Sequence, residues 1–200
     1  MIRAGIVVFV GTLASILLVN VLLPDVADGW FSSASYALSV LVGLVAIRIL
    51  GPGSPRASLS GLPSLRGVAE GLGVGLLTPV VAWGYVLLLT ALLGPDPAVE
   101  ESSSIAVALF ATALLPALFE EWLDRGVLWL VCLEIGRARQ AILITSLLFA
   151  VSHVFAASPM VFPLFFAMGC VLGWLRHRHD SLVPGIVAHF THNAVVTLAA

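Results

Sequence analysis

The chain has 200 residues, of which 60% are hydrophobic and only 10% are charged, and its mean hydropathy is +1.11. A soluble domain of this size carries about 25% charged residues, so the composition excludes an ordinary water-soluble globule. A net charge of −2 gives no support for nucleic-acid binding. The expected class is all-α, a polytopic bundle of about seven transmembrane helices forming a single compact domain.

In chain order, the apolar stretches place spans at residues 4–23, 31–50, 67–93, 103–133, 138–157, 160–175 and 181–199. Long runs with internal Gly and Pro fit helices rather than the short alternating strands of a membrane barrel. The first span follows a single arginine and lacks a small-residue cleavage site, which reads as a retained anchor. In the third span, Thr78 and Pro79 mark an expected kink, and Glu70 lies near Arg66 at the cytoplasmic end, where it can snorkel. Cys132 and Cys170 fall in apolar helix and read as small core residues rather than a disulfide. Arg176, His177, Arg178 and His179 are expected in a short basic loop touching anionic headgroups.

All the basic residues are arginine. Arg3, Arg48, Arg56, Arg66, Arg137, Arg139, Arg176 and Arg178 flank loops on one side, whereas Asp25, Asp28, Asp96, Glu100 and Glu101 occupy the other. The positive-inside rule then predicts a cytoplasmic N-terminus and an outside C-terminus in a plasma membrane. Arg125 alone departs from this pattern and lies within a span.

Arg125 belongs to a cluster with Glu120, Glu121 and Asp124 in the fourth span. A charge near the bilayer centre costs about 2.5–3.5 kcal/mol, so such a cluster marks a functional site unless it lies along a wet helix end. Glu121 and Arg125 are four apart and can pair on one helical face. That leaves Glu120 as the free carboxylate. Pro116 cannot donate to the carbonyl of Thr112, which predicts a kink one turn earlier. His153 in the fifth span, and His189 with Asn193 in the last, bring further polar side chains to comparable depth. Glu, His and Asn are residue types that activate water and stabilise an oxyanion.

Three patterns now stand in order on separate helices: "EEWLDR" as EExxxR, "FAVSH" as FxxxH and "HFTHN" as HxxxN. Together they resemble the CAAX protease and bacteriocin-processing family of intramembrane proteases, also called the Abi family, which includes the Rce1-like type II prenyl-protein endopeptidases. The resemblance covers about residues 110–197, and divides the chain into residues 1–100, without diagnostic motifs, and a catalytic core at residues 101–200. It implies hydrolysis of a peptide bond at or within the membrane. Glu120 would be the general base and His153 would hold the attacking water, with His189 and Asn193 facing the oxyanion. Glu121 and Arg125 would be a structural pair, Phe149 a packing residue and His192 an accessory hydrogen-bonding group.

The family has been described both as metalloproteases and as glutamate-dependent proteases. Zinc is compatible with Glu120, His153 and His189 as three ligands and an open position for water, but HExxH is absent and metal-free chemistry is preferred. Expected partners are the lipid bilayer and a membrane-associated peptide or protein, whether prenylated, a bacteriocin precursor or a regulatory precursor. A Lys-free chain rich in Ala and Gly suggests a prokaryotic source. Two alternatives use the same residues: a proton- or ion-coupled transporter and a catalytically inactive scaffold.

Overall fold

A computed structural model describes residues 63–94, 104–154 and 159–199. The predicted spans at 4–23 and 31–50, together with Arg3, Arg48, Arg56 and the acidic residues of the opposite loops, lie outside the described residues. Among the described residues the structure is helical, without strands. Helix α1 is Leu65–Leu93, and α2 is a continuous helix of changing pitch running from Ile105 to Ile135. Helix α3 is Ala138–Val154, and α4, Phe162–His179, follows a single 3-10 turn at Pro159–Val161. Helix α5 is Val183–Ala199.

Helices α1 and α2 each start at a serine cap. The Ser64 hydroxyl accepts from the Gly67 N–H at 3.0 Å ahead of α1, and Ser104 accepts from the Val107 N–H at the head of α2. Helix α1 passes through Pro79 as one continuous element. Three helical stretches, Leu65–Leu93, Ile105–Glu134 and Pro159–His179, are long and apolar enough to cross a membrane. Their outward faces carry exposed Leu72, Leu76, Val80, Leu87 and Phe110, the pattern expected where lipid rather than water is the solvent.

Helix α5 packs between α1 and the first half of α2, while α3 packs against α4 and the second half of α2. The α1–α5 contact is made by glycine. A Cβ at Gly71 would lie 2.4 Å from the Pro184 carbonyl oxygen, and one at Gly75 would lie 2.6 Å from that of Ala188. Only hydrogen at these two positions lets the backbones approach so closely. The central core joins Phe149 of α3 to Met168, Leu172 and Leu175 of α4 and to Ala188 of α5.

Two departures from the sequence reading concern the basic segment before α5. Arg176 to His179 form the last turn of α4 rather than a loop, because cationic side chains are favoured at a helix C-terminus. The turn begins at Asp180, whose φ of 46° is left-handed, a conformation that Asp tolerates. Arg176 is also buried: it donates from Nε to the Arg125 carbonyl at 3.0 Å and pairs with Asp180 at 2.7 Å. Glu70 has more than its expected neighbour Arg66 at 2.8 Å. It also meets Arg178 at 2.8 Å and His179 at 3.0 Å, which ties α1 to the end of α4. Cys132 and Cys170 are free thiols.

Candidate active site

Helix α2 widens into two π-helical stretches, and both shape the site. Leu109–Leu114 and Glu121–Leu128 are π-helical, separated by the α-helical turn Leu115–Glu120. Wider turns of this kind free carbonyls from the ordinary i to i−4 ladder. The Trp129 N–H bonds to the Asp124 carbonyl five residues back, and the Arg125 carbonyl accepts from Arg176. Pro116 has no N–H for the Thr112 carbonyl, which accepts from Asn193 Nδ2 at 3.2 Å. Side chains of α4 and α5 thus satisfy the carbonyls that the irregular helix leaves available.

The two glutamates point to different surroundings. Glu121 is 1% exposed and Arg125 0%, and Arg125 Nη1 donates to Glu121 Oε1 at 2.8 Å. Arg125 is held further by donating to the Gly169 carbonyl at 3.1 Å, by the Asp124 carboxylate at 3.6 Å, and by lying 4.7 Å over the Phe149 ring. These charges are interior, so the wet-surface alternative does not describe them. The Glu121 carboxylate also accepts from His189 Nδ1 at 3.3 Å.

Glu120 has no such partner. Its Oε2 is buried without a hydrogen bond and stands 3.8 Å from the Nε2 atoms of both His153 and His189. The ring tautomers follow from what faces Nδ1. His153 Nδ1 lies 2.7 Å from the Phe149 carbonyl oxygen, which can only accept, so Nδ1 carries the proton. The Glu121 carboxylate requires the same of His189. In the neutral rings, both Nε2 lone pairs therefore face Glu120 Oε2. Phe165 stacks on His153 at 4.2 Å between ring centroids, and Phe149 lies at 4.5 Å from His153 and 5.7 Å from His189, fixing both imidazoles in place.

Glu120, His153, His189, His192 and Asn193 all line one cavity of about 880 Å³. Its remaining walls are mainly apolar and come from α1, α2, α4 and α5, with Thr78, Trp83 and Phe165 among them. The structure thus brings Glu120, His153 and His189 into one cluster and puts Asn193 in the same cavity, bonded to α2. Glu121 and Arg125 lie buried behind the cluster, and Phe149 of α3 lines the cavity beside it. His192 is directed to α1, where its Nδ1 meets Thr78 Oγ1 at 2.9 Å. Thr78 and Phe165 had no signal in the sequence beyond a hydroxyl beside a proline and an aromatic in an apolar run.

The donor types of Glu120, His153 and His189 suit zinc. Among the described residues no group of three or more His, Cys, Asp or Glu side chains is arranged to hold an ion.

The sequence model of the family described as type II CAAX prenyl endopeptidase Rce1-like matches residues 102–195. This segment is Rce1-like. No curated protein and no solved structure matches the chain. The Rce1-like segment runs from the start of α2 almost to the end of α5 and contains every motif residue of the cluster. It implies a protease, and the apolar helices that carry it imply an integral membrane protein.

Proposed function

We propose that the protein is an intramembrane endopeptidase of the CAAX type II kind, in which Glu120 activates water directly. The observation that carries this reading is Glu120 Oε2, buried without a hydrogen-bond partner and flanked at 3.8 Å by two histidine Nε2 atoms in a largely apolar cavity. A water between them can give one hydrogen to Glu120 and direct the other at His153 Nε2. As the water oxygen attacks the peptide carbonyl carbon, its proton passes to Glu120. The C–N bond then breaks, and that proton passes to the leaving nitrogen.

The oxyanion faces α5. Asn193 has two N–H bonds, and the one spent on Thr112 fixes the amide so that the other can be directed at the developing charge. His189, with its Nδ1–H on Glu121, donates from Nε2 when the ring carries both protons. No step is routed through a metal. The whole chain is read as about seven spans in a plasma membrane, with a cytoplasmic N-terminus and an outside C-terminus. Its substrate is a membrane-associated peptide or protein, either prenylated or a bacteriocin or regulatory precursor.

The test is purified protein in detergent, incubated with a panel of transmembrane and C-terminally prenylated peptides. Cleavage is expected, and it should disappear in Glu120→Ala and His153→Ala. No cleavage by the wild type, or cleavage unchanged in both variants, would sink the reading and favour a transporter or scaffold. Activity abolished by a chelator and restored by zinc would replace the metal-free step.

A further inference from the structure

Helix α1 lies outside the Rce1-like segment at residues 102–195, yet it forms one wall of the cavity. Its register on α5 is set by the contacts of Gly71 and Gly75 with Pro184 and Ala188. One turn after Gly75, Thr78 meets His192, one turn after Ala188.

The Thr78–His192 bond differs from those of the other two cavity histidines. Thr112 turns its hydroxyl back to the Ala108 carbonyl, and Ser152 turns its own to that of Phe149. Thr78 Oγ1 lies across the interface at 2.9 Å from His192 Nδ1. A hydroxyl proton given to Nδ1 makes that nitrogen the acceptor and puts the ring proton on Nε2. His153 and His189 carry the opposite arrangement, with Nδ1–H held by an acceptor and Nε2 bare. With the Thr78 hydroxyl as donor, His192 donates from Nε2, whereas the neutral rings of His153 and His189 accept there.

We propose that Thr78 is a positioning residue that fixes His192 as an Nε2–H donor to a main-chain carbonyl of the bound substrate, beside the scissile bond. This rests on the protease reading and extends the substrate site onto α1. A peptide extended for hydrolysis in an apolar cavity loses the helical partners of its carbonyls, and each unpaired carbonyl there is costly. Neighbouring polar groups are committed elsewhere: Asn193 Nδ2 gives one N–H to the Thr112 carbonyl and its other to the oxyanion, and the Thr112 and Thr197 hydroxyls bond each other at 2.9 Å. His192 is bound through Nδ1, which leaves Nε2 to the cavity that it lines.

The test combines histidine nitrogen NMR with kinetics on the panel peptide that is cleaved fastest. In the wild type, His192 should carry its proton on Nε2. Thr78→Val should redistribute that proton and raise KM about 3- to 10-fold, the loss of one hydrogen bond, with kcat within about twofold. Thr78→Ser should restore both. A Thr78→Val/His192→Phe double variant should be no worse than His192→Phe alone. The Kd of a dansylated transmembrane peptide, measured in the Glu120→Gln background, should rise by the same factor.

A proton found on His192 Nδ1 in the wild type, or KM and Kd unchanged in Thr78→Val, would overturn the proposal. Wild type that cleaves no peptide would instead refute the protease reading, and the Kd and the tautomer would still decide the role of Thr78. If Thr78→Val lowers Tm sharply, His192→Phe must show the same rise in Kd for the proposal to stand.

Discussion

Replacing Arg125 by alanine would leave the Glu121 carboxylate buried without its cation and free the Gly169 carbonyl as well. Breaking one half of a buried pair costs about 3–5 kcal/mol, so Arg125→Ala should lower Tm strongly, read by thermal denaturation in detergent, before any effect on turnover is considered. Glu120 behaves differently because no hydrogen bond to its Oε2 is lost on substitution. Glu120→Gln keeps the volume and is expected to leave stability within about 1 kcal/mol of wild type, with Tm little changed. Losing the base should lower kcat by about 10²- to 10⁴-fold, measured as peptide cleavage. The opposite result, an inactive but stable Arg125→Ala beside an unfolded Glu120→Gln, would show that the two carboxylates have been assigned the wrong way round. The pairing of Glu121 with Arg125 could be read from a spacing of four. Its second contact, to His189, could not, because 68 residues separate the partners.

At the scale of elements, the described parts of the predicted spans at 67–93, 103–133, 138–157, 160–175 and 181–199 fall on helices α1 through α5, of which three stretches are long and apolar enough to cross a membrane. Apolar length alone was enough to find them, since a membrane helix must satisfy its backbone internally. What the apolar pattern did not carry is the pitch within α2. Its π turns are visible only through which carbonyl each N–H reaches, and Asn193 and Arg176, which cap the freed carbonyls, come from helices distant in sequence. The α1–α5 contact lends itself to a direct test. A methyl group at Gly75 would lie 2.6 Å from both the Ala188 carbonyl oxygen and Thr191 Cβ, and neither backbone can yield without moving a helix. Gly75→Ala is expected to destabilise the protein by about 1–3 kcal/mol, seen as a lower Tm. It should also raise KM in the same direction as Thr78→Val, because the register that sets Thr78 opposite His192 shifts with it.

For the molecule as a whole, the decisive property is that, among the described residues, several charges are buried between the helices while large apolar side chains face outward. Glu121, Asp124, Arg125, Arg176 and His189 are buried, while Leu76, Val80 and Leu87 are exposed. Val80 sits midway along α1 and is 60% exposed, so an arginine there would face lipid near the bilayer centre. Val80→Arg should cost about 2.5–3.5 kcal/mol of insertion. A reduced carbonate-resistant membrane fraction would register it, while Val80→Leu should insert normally.

By itself, the sequence determined that this is a helical membrane protein, where most of each described helix runs, and which residue types could activate water. Those properties follow from composition, apolar length and residue type, all local along the chain. Only the tertiary structure decided that Glu120 Oε2 stands between two histidines, that Glu121 orients one of them, and that Thr78 reaches His192. Those are distances between different helices, set by backbones that approach at glycine and by carbonyls that an irregular helix leaves for others to satisfy.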